Sequence, residues 1–434
     1  MNPVLLAVVL GVLAFGFNTL FWSSVGAGRY LLERGLSRRG AHVGWRPSPS
    51  RVTAPQPADV AILIAAHNEE AGIANTIRSA ARLVSRSQIY VVSDGSTDGT
   101  ARIARQNGVQ VLELIDNVGK ASALTIAFLR FQLSERVEIV TLLDADSELS
   151  SDYLSTGLRL FVDPTVAVVA AGVTTQWDPT PGNWRARILI GHRERAYVLM
   201  QRLLKYGQAA RRADVVAIAP GFASMYRSSV LAQIRMDPVG LVIEDFNMTF
   251  EVHRHRLGRV VFNPSIAVAR TQDPDRFADY RRQVSRWALG FWQTVRLQGL
   301  LHRGRFWVAL TAWCVELVLS SLALFAGVGL LLARAGFALA RLAGAHVASP
   351  SWLPAAWLIL LMLAAPHVLL SIAVAVLQRR PSMLLFAPVF FLLAIVDAWL
   401  AIGGLARSYT TSSTGQWRSP PRRSTDVVTV GPLS

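Results

Sequence analysis

The sequence predicts an α/β domain that binds its ligand at one rim of a parallel sheet, with membrane-spanning helices on both sides of it. Three observations predict this. From about residue 55 to residue 270, short apolar runs alternate with helical stretches, the pattern of a parallel sheet covered by helices. Outside that block, four apolar runs reach the ~20 residues needed to cross a bilayer core. Finally, 52 % of the residues are hydrophobic and 17 % charged, which excludes intrinsic disorder, a state that needs low hydrophobicity. With Cys314 as its single cysteine, the chain is not a disulfide scaffold either.

The elements follow in order. Asn2 to Trp22 carries no charge and is long enough to span. A cleaved signal peptide is the rival reading, weakened because no basic residue precedes the run. Arg29, Arg34, Arg38, Arg39, Arg46 and Arg51 follow it and put the next segment in the cytoplasm. Val60–Ala66 is a continuous apolar run, hence a buried strand. Ala71–Val84 reads as helix, Ile89–Val92 as strand, and Thr97–Gln106 as helix with Thr97 or Asp98 available as its cap. Val109–Leu114 is a third strand, Lys120–Leu133 a helix and Val137–Leu143 a fourth strand. Residues 271–304 read as amphipathic helices lying in the membrane interface. Phe306–Ala333, Trp352–Leu377 and Met383–Ala406 are the three remaining spans within residues 305–407, and 408–434 form a polar tail. Counting four spans sends the tail outside, against the sense of Arg407, Arg418, Arg422 and Arg423.

The formal charge of +16 comes from 42 arginines and only two lysines, Lys120 and Lys205. Such an excess fits nucleic acid, an anionic membrane surface or an anionic substrate. The arginines gather beside the apolar runs, which disfavours nucleic acid. Glu316, His367 and Asp397 fall inside apolar runs, where ionisable groups are costly; Glu316 and Asp397 are expected to face the helix bundle.

In open α/β sheets ligands bind beyond the carboxyl ends of the strands. Here those ends carry Asn68-Glu69-Glu70, Asp94 and Asp144-Ala145-Asp146. Neither GxGxxG after a strand nor GxxxxGK[ST] is present, so a dinucleotide fold and a P-loop are unsupported. Asp144 and Asp146 offer hard oxygens to Mg²⁺ or Mn²⁺, which keep waters and complete their shell from substrate phosphates; alone, such a pair is equally a polar turn. Asp94 could merely cap a helix. Lys120 opens a helix near the same rim and can meet phosphate as a point charge. Glu244-Asp245 precedes a helix and can supply a general base or simply an N-terminal cap. Gln283, Arg286 and Trp287 are spaced i, i+3, i+4 and share a helix face: arginine suits a diphosphate, tryptophan a sugar ring.

Taken in order, His67-Asn68-Glu69-Glu70, Asp94-Gly95-Ser96-Thr97-Asp98, Gly119-Lys120-Ala121, Asp144-Ala145-Asp146, Gly221-Phe222-Ala223-Ser224, Ile243-Glu244-Asp245 and Gln283-Val284-Ser285-Arg286-Trp287 resemble the membrane-embedded processive branch of glycosyltransferase family 2. That branch includes cellulose, hyaluronan, chitin-oligosaccharide and poly-N-acetylglucosamine synthases. The resemblance covers about Ala58 to Gln293. It implies a Rossmann-like GT-A fold and inverting transfer from a nucleotide-diphosphate sugar, usually a UDP-sugar, onto a glycan or lipid acceptor. By matching position, Asn68 or Glu69 and Asp94 would contact the nucleotide and Lys120 the diphosphate. Asp144 and Asp146 would hold nucleotide and a Mg²⁺ or Mn²⁺ ion. Asp245 would be the base, with Glu244 as the alternative carboxylate. Gln283 and Arg286 would hold the diphosphate, and Trp287 and Phe222 the acceptor end.

Two positions depart from the branch: Ile243 stands where a threonine is usual and Thr125 where an asparagine is. Gln416-Trp417-Arg418-Ser419-Pro420-Pro421-Arg422 is similar to the gating segment of hyaluronan synthases and would need a cytoplasmic tail. The reading is then a multi-pass plasma-membrane enzyme with a cytoplasmic catalytic domain that extends a β-linked polysaccharide. Its rivals are an enzyme that glycosylates a lipid and a catalytically silent polysaccharide-transport subunit.

Overall fold

The structure, a computed structural model, describes residues 15–38, 53–177, 183–413 and 415. They form two compact units. The first, here the sheet unit, contains residues 53–177, Ile218–Asp275 and Ser413. Its strands are β1 (Val60–Ala66), β2 (Ile89–Asp94), β3 (Gln110–Leu114), β4 (Ile139–Asp144), β5 (Ser147–Leu149), β6 (Val166–Val169), β7 (Gly172–Thr175), β8 (Met225–Arg227), β9 (Arg259–Val261) and β10 (Val268–Thr271).

The main sheet runs β3-β2-β1-β4-β8-β6-β9. β1 pairs in parallel with β2 on one side and β4 on the other, with Ala66 opposite Ser93 and Ala65 opposite Asp144. This register carries Asp94 and Asp144 to the same rim. β1 is wholly buried, so its uninterrupted apolar run has an apolar neighbour on each face. Each such Val, Leu or Ile contributes about 1.5–3 kcal/mol relative to exposure. Ile62, Ile64, Ile77, Val91 and Leu143 belong to one core cluster beneath the rim.

The parallel sheet read from the sequence is its first four strands. Beyond β4 the sheet turns mixed, because β8 lies antiparallel to both β4 and β6. β8 is three residues long, too short to show any hydrophobic period. A second sheet, β5-β10-β7, follows Asp146 directly. Several helices are shorter than their apolar patterns. The first is Ile73–Ala80, because Gly72 and Ile73 close a turn onto the Glu69 carbonyl at 3.0 and 2.9 Å. The next is Thr100–Gln106; of the two caps expected, Asp98 accepts the Thr100 amide at 3.0 Å, whereas the Thr97 amide donates to Asn68 Oδ1 at 2.8 Å. The third ends at Arg130, ahead of Gln132 with φ +52°.

The second, helical unit holds Phe17–Arg38, Arg185–Ala217 and Arg276–Ser412. Residues 185–217 were read as part of the 55–270 domain; the structure groups them with the membrane helices instead. The helix Trp184–Leu199 escaped notice because its His192-Arg193-Glu194-Arg195 run breaks any apolar pattern, although all four are buried here. Phe277–Gln298 is one helix. Arg305–Leu342, Ala356–Gln378 and Pro381–Arg407 are long and apolar enough to cross a membrane, and Leu332, Leu361 and Trp399 project outward from them. The first extends nine residues past the expected Ala333, and Trp352 lies outside its helix.

The expected N-terminal span lies mostly outside the described residues; its described end continues as the helix Phe17–Arg38. There the Asn18 amide and Nδ2 donate to Glu316 Oε2 at 2.7 and 3.1 Å, so Glu316 faces protein as expected. Asp397 does the same, bonded to His192 and Tyr280. Ser413, near the start of the tail, bridges to Gly240 within the sheet unit. The Gln416–Arg422 segment lies outside the described residues.

Candidate active site

Lys120 is the centre of the rim. It opens the helix Lys120–Arg130 behind Gly119, whose φ of +91° an L side chain would strain. Asp94, fully buried at the end of β2, fixes this entry: its two oxygens accept the Val118 and Gly119 amides at 2.8 and 2.9 Å. Burial pushes the Asp94 carboxyl up, against the pull of those two amides and of His67. Its visible contacts are thus to the loop that aims Lys120.

Lys120 Nζ lies 2.7 Å from Asp144 Oδ1 and 2.7 Å from Glu244 Oε1, with the Gly221 carbonyl at 3.5 Å. Burial alone would lower the ammonium's affinity for its proton, but the two carboxylates outweigh it and hold the charge. Gly221 makes this possible, since a Cβ there would sit 2.8 Å from Glu244 Oε1 and 3.4 Å from Nζ. In the sequence Gly221 belongs to a motif without an evident role; the packing against Glu244 and Lys120 supplies one.

Glu244 is 5 % exposed and committed to Lys120. Asp245, the first residue of the helix Asp245–Arg254, accepts the Phe246 amide at 2.8 Å and, at 3.5 Å, the Gly221 amide. Burial first and the Glu244 charge second push its carboxyl up to about 7, with Lys120 opposing. Asp144 rises to about 6, through burial and then the neighbouring Asp146 and Glu244, again opposed by Lys120.

The other predicted positions are placed as follows. Asn68 is exposed at φ +53° and ties β1 to the β2 loop through Thr97. Glu69 is 2 % exposed, and its amide donates to Thr100 Oγ1 at 2.8 Å. Phe222 packs on the sheet core, and its carbonyl accepts the Asp144 amide at 3.0 Å, so its backbone aligns Asp144. Gln283, Arg286 and Trp287 lie on Phe277–Gln298 in the helical unit. Gln283 Oε1 and Arg286 Nε are buried with no hydrogen-bond partner among the described residues. The Arg193 guanidinium sits 4.3 Å over the Trp287 ring.

Among the described residues no group of three or more His, Cys, Asp or Glu side chains forms a closed metal cage. Asp144 and Asp146 supply two hard oxygen donors close enough for the charge of one to raise the other. That donor set fits a hard divalent cation whose other ligands are phosphate and water.

A doubly flanked sheet with a basic and acidic rim of this kind is a GT-A-like nucleotide-sugar fold. Residues 61–235 match the family Glycosyl transferase family 2. A succinoglycan biosynthesis protein, ExoU, of Rhizobium meliloti (strain 1021) is 29 % identical over 147 residues; the match covers 30 % of this chain and 42 % of that relative. A mannosyltransferase, PcManGT, from Pyrobaculum calidifontis, solved with GDP-Man and Mn²⁺, aligns with a TM-score of 0.51 at 18 % identity, over 90 % of this chain and 98 % of that one. Mannosyl-3-phosphoglycerate synthase from Rubrobacter xylanophilus aligns at TM-score 0.38 and 19 % identity, over 63 % of this chain and 80 % of that one.

Proposed function

We propose that this chain is an inverting, metal-dependent membrane glycosyltransferase that takes sugar from a nucleotide diphosphate, UDP in the first instance, and extends a β-linked polysaccharide. The observation that carries the reading is the rim cluster itself. One lysine is held between Asp144 and Glu244, beside a carboxylate at Asp245 whose proton affinity is set near neutrality. The name of the ExoU relative, a succinoglycan biosynthesis protein, supports a part in polysaccharide biosynthesis. The apolar helices support a membrane location, and the arginines that follow Trp22 in the sequence support a cytoplasmic sheet unit.

The roles follow from chemistry. Asp245 takes the proton of the acceptor hydroxyl. The oxygen then attacks the anomeric carbon as the bond to the diphosphate oxygen breaks on the opposite face, so an α-linked donor gives a β-linked product. Glu244 is occupied by Lys120 and is the poorer base. Lys120 turns its ammonium to the diphosphate, and Arg286, whose Nε has no hydrogen-bond partner among the described residues, is a second cation suited to phosphate. Asp144 and Asp146 would hold Mg²⁺ or Mn²⁺, which neutralises charge on the leaving diphosphate. Trp287 holds the acceptor end.

Purified protein in nanodiscs should release nucleotide from one member of a panel of UDP- and GDP-sugars and incorporate that sugar into material retained by gel filtration. Sugar found only in one or two units on an organic-extractable lipid would replace polysaccharide with glycolipid. No nucleotide release with any donor would sink the enzymatic reading. Exhaustive chelation should abolish incorporation, and Mn²⁺ or Mg²⁺ should restore it. Full activity after chelation would remove the metal from Asp144 and Asp146.

A further inference from the structure

A polar junction in the helical unit takes no part in the roles above. Asp397 lies on the last apolar helix, where an ionisable group is costly unless it is partnered. It is held from two sides. The Tyr280 hydroxyl donates to Asp397 Oδ1, and His192 Nε2 is 2.9 Å from Asp397 Oδ2. Tyr280 is fully buried and His192 3 % exposed, while Asp397 keeps a partly open side chain. The three residues come from three helices: Phe277–Gln298, Trp184–Leu199 and Ala387–Arg407. Burial and then the Asp397 charge push the Tyr280 phenol upward, so it stays a donor.

Both arms of this junction lead to Trp287. Along a helix, positions 280, 283, 284 and 287 share a face, so fixing the rotation at Tyr280 fixes the direction of Gln283 and Trp287. On the other arm, Arg193 follows His192, lies 4.3 Å over the Trp287 ring and donates to the Tyr197 hydroxyl at 2.7 Å. The same two helices are clamped further along, where Trp292 Nε1 donates to the Ala401 carbonyl at 3.0 Å. Gly404 faces Ala288 there, where a Cβ would come within 2.9 Å.

We infer that Asp397 is a positioning residue for acceptor transfer, which through Tyr280 and through His192–Arg193 sets where Trp287 presents the acceptor. The inference rests on the proposed role of Trp287. Its distinguishing consequence is uncoupling: a misplaced acceptor end leaves donor cleavage by water intact while fewer sugars reach the product.

The test uses the full chain in nanodiscs with whichever radiolabelled nucleotide sugar the donor panel identifies. It measures sugars incorporated per nucleotide released. Asp397→Leu and Tyr280→Phe should each lower that ratio by about fivefold or more, with nucleotide release within about twofold of wild type. Asp397→Asn should restore the ratio, because its amide oxygen still accepts from Tyr280. Should Asp397→Leu fail to accumulate, Tyr280→Phe and Asp397→Asn decide the matter alone. An unchanged ratio, or release and incorporation falling in proportion in Tyr280→Phe, overturns the inference and leaves the glycosyltransferase reading standing. Absence of nucleotide release from the wild-type chain sinks both.

Discussion

Asp245→Asn should cost about 10²–10⁴-fold in transfer, the usual contribution of a positioned general base, while leaving nucleotide binding nearly intact. The substitution keeps the side-chain size and the acceptor atom for the Phe246 amide, so the loss reports the missing base. Glu244→Gln should act differently, by releasing one of the two anchors of Lys120. The pH profile provides a second reading of the same residue. A base works only when deprotonated, and the Asp245 carboxyl is pushed up to about 7. The wild-type kcat/KM should therefore fall as the pH drops through neutrality, approaching tenfold per unit below it, and that limb should vanish in the residual activity of Asp245→Asn. If Asp245→Asn turns over near the wild-type rate and Glu244→Gln does not, the two carboxylates have been assigned in the wrong order.

Lys120→Met is expected to be the more destructive change for the protein as a whole. It leaves Asp144 and Glu244 facing each other without their shared cation, and breaking a buried ion pair from one side costs about 3–5 kcal/mol. The sign with pH can be worked out. The Asp144 carboxyl already stands at about 6 in the folded chain against an ordinary 3.8, and loss of the ammonium raises it further. A carboxyl whose folded affinity for protons exceeds its unfolded one favours the folded state at low pH, and that advantage is lost as the pH rises through the folded value. Thermal unfolding of the variant should therefore show its largest deficit relative to wild type above pH 7 and a smaller one near pH 5. Titration with UDP and Mn²⁺ should show weaker nucleotide binding at either pH. A variant equal to wild type in both measurements would remove Lys120 from the centre of the site.

The part of the fold written in continuous stretches is legible in the order of the amino acids. β1 was readable to the residue, because a strand buried on both faces must be apolar throughout. The rim followed from it: parallel strands end on the same side, so Asp94, Asp144 and the residues after Ala66 had to share an edge. Three apolar helices were legible in outline though not in their bounds, since a bilayer demands length and composition and little else. Which of the rim's groups pair depends on contacts between distant segments. Lys120 and Glu244 are 124 positions apart, and no local pattern could announce that one ammonium would lie 2.7 Å from both Glu244 and Asp144. That contact is what separates Glu244 from Asp245 as a base. The same holds for Gly221, whose missing side chain matters only because Glu244 and Lys120 lie against it. It holds too for Trp184–Leu199, where His192, Arg193, Glu194 and Arg195 are buried against partners supplied by distant segments, His367, Arg380 and Asp397 among them. Hydrophobic periodicity records burial against apolar neighbours; a charged side chain buried against another charge leaves no such trace in the sequence.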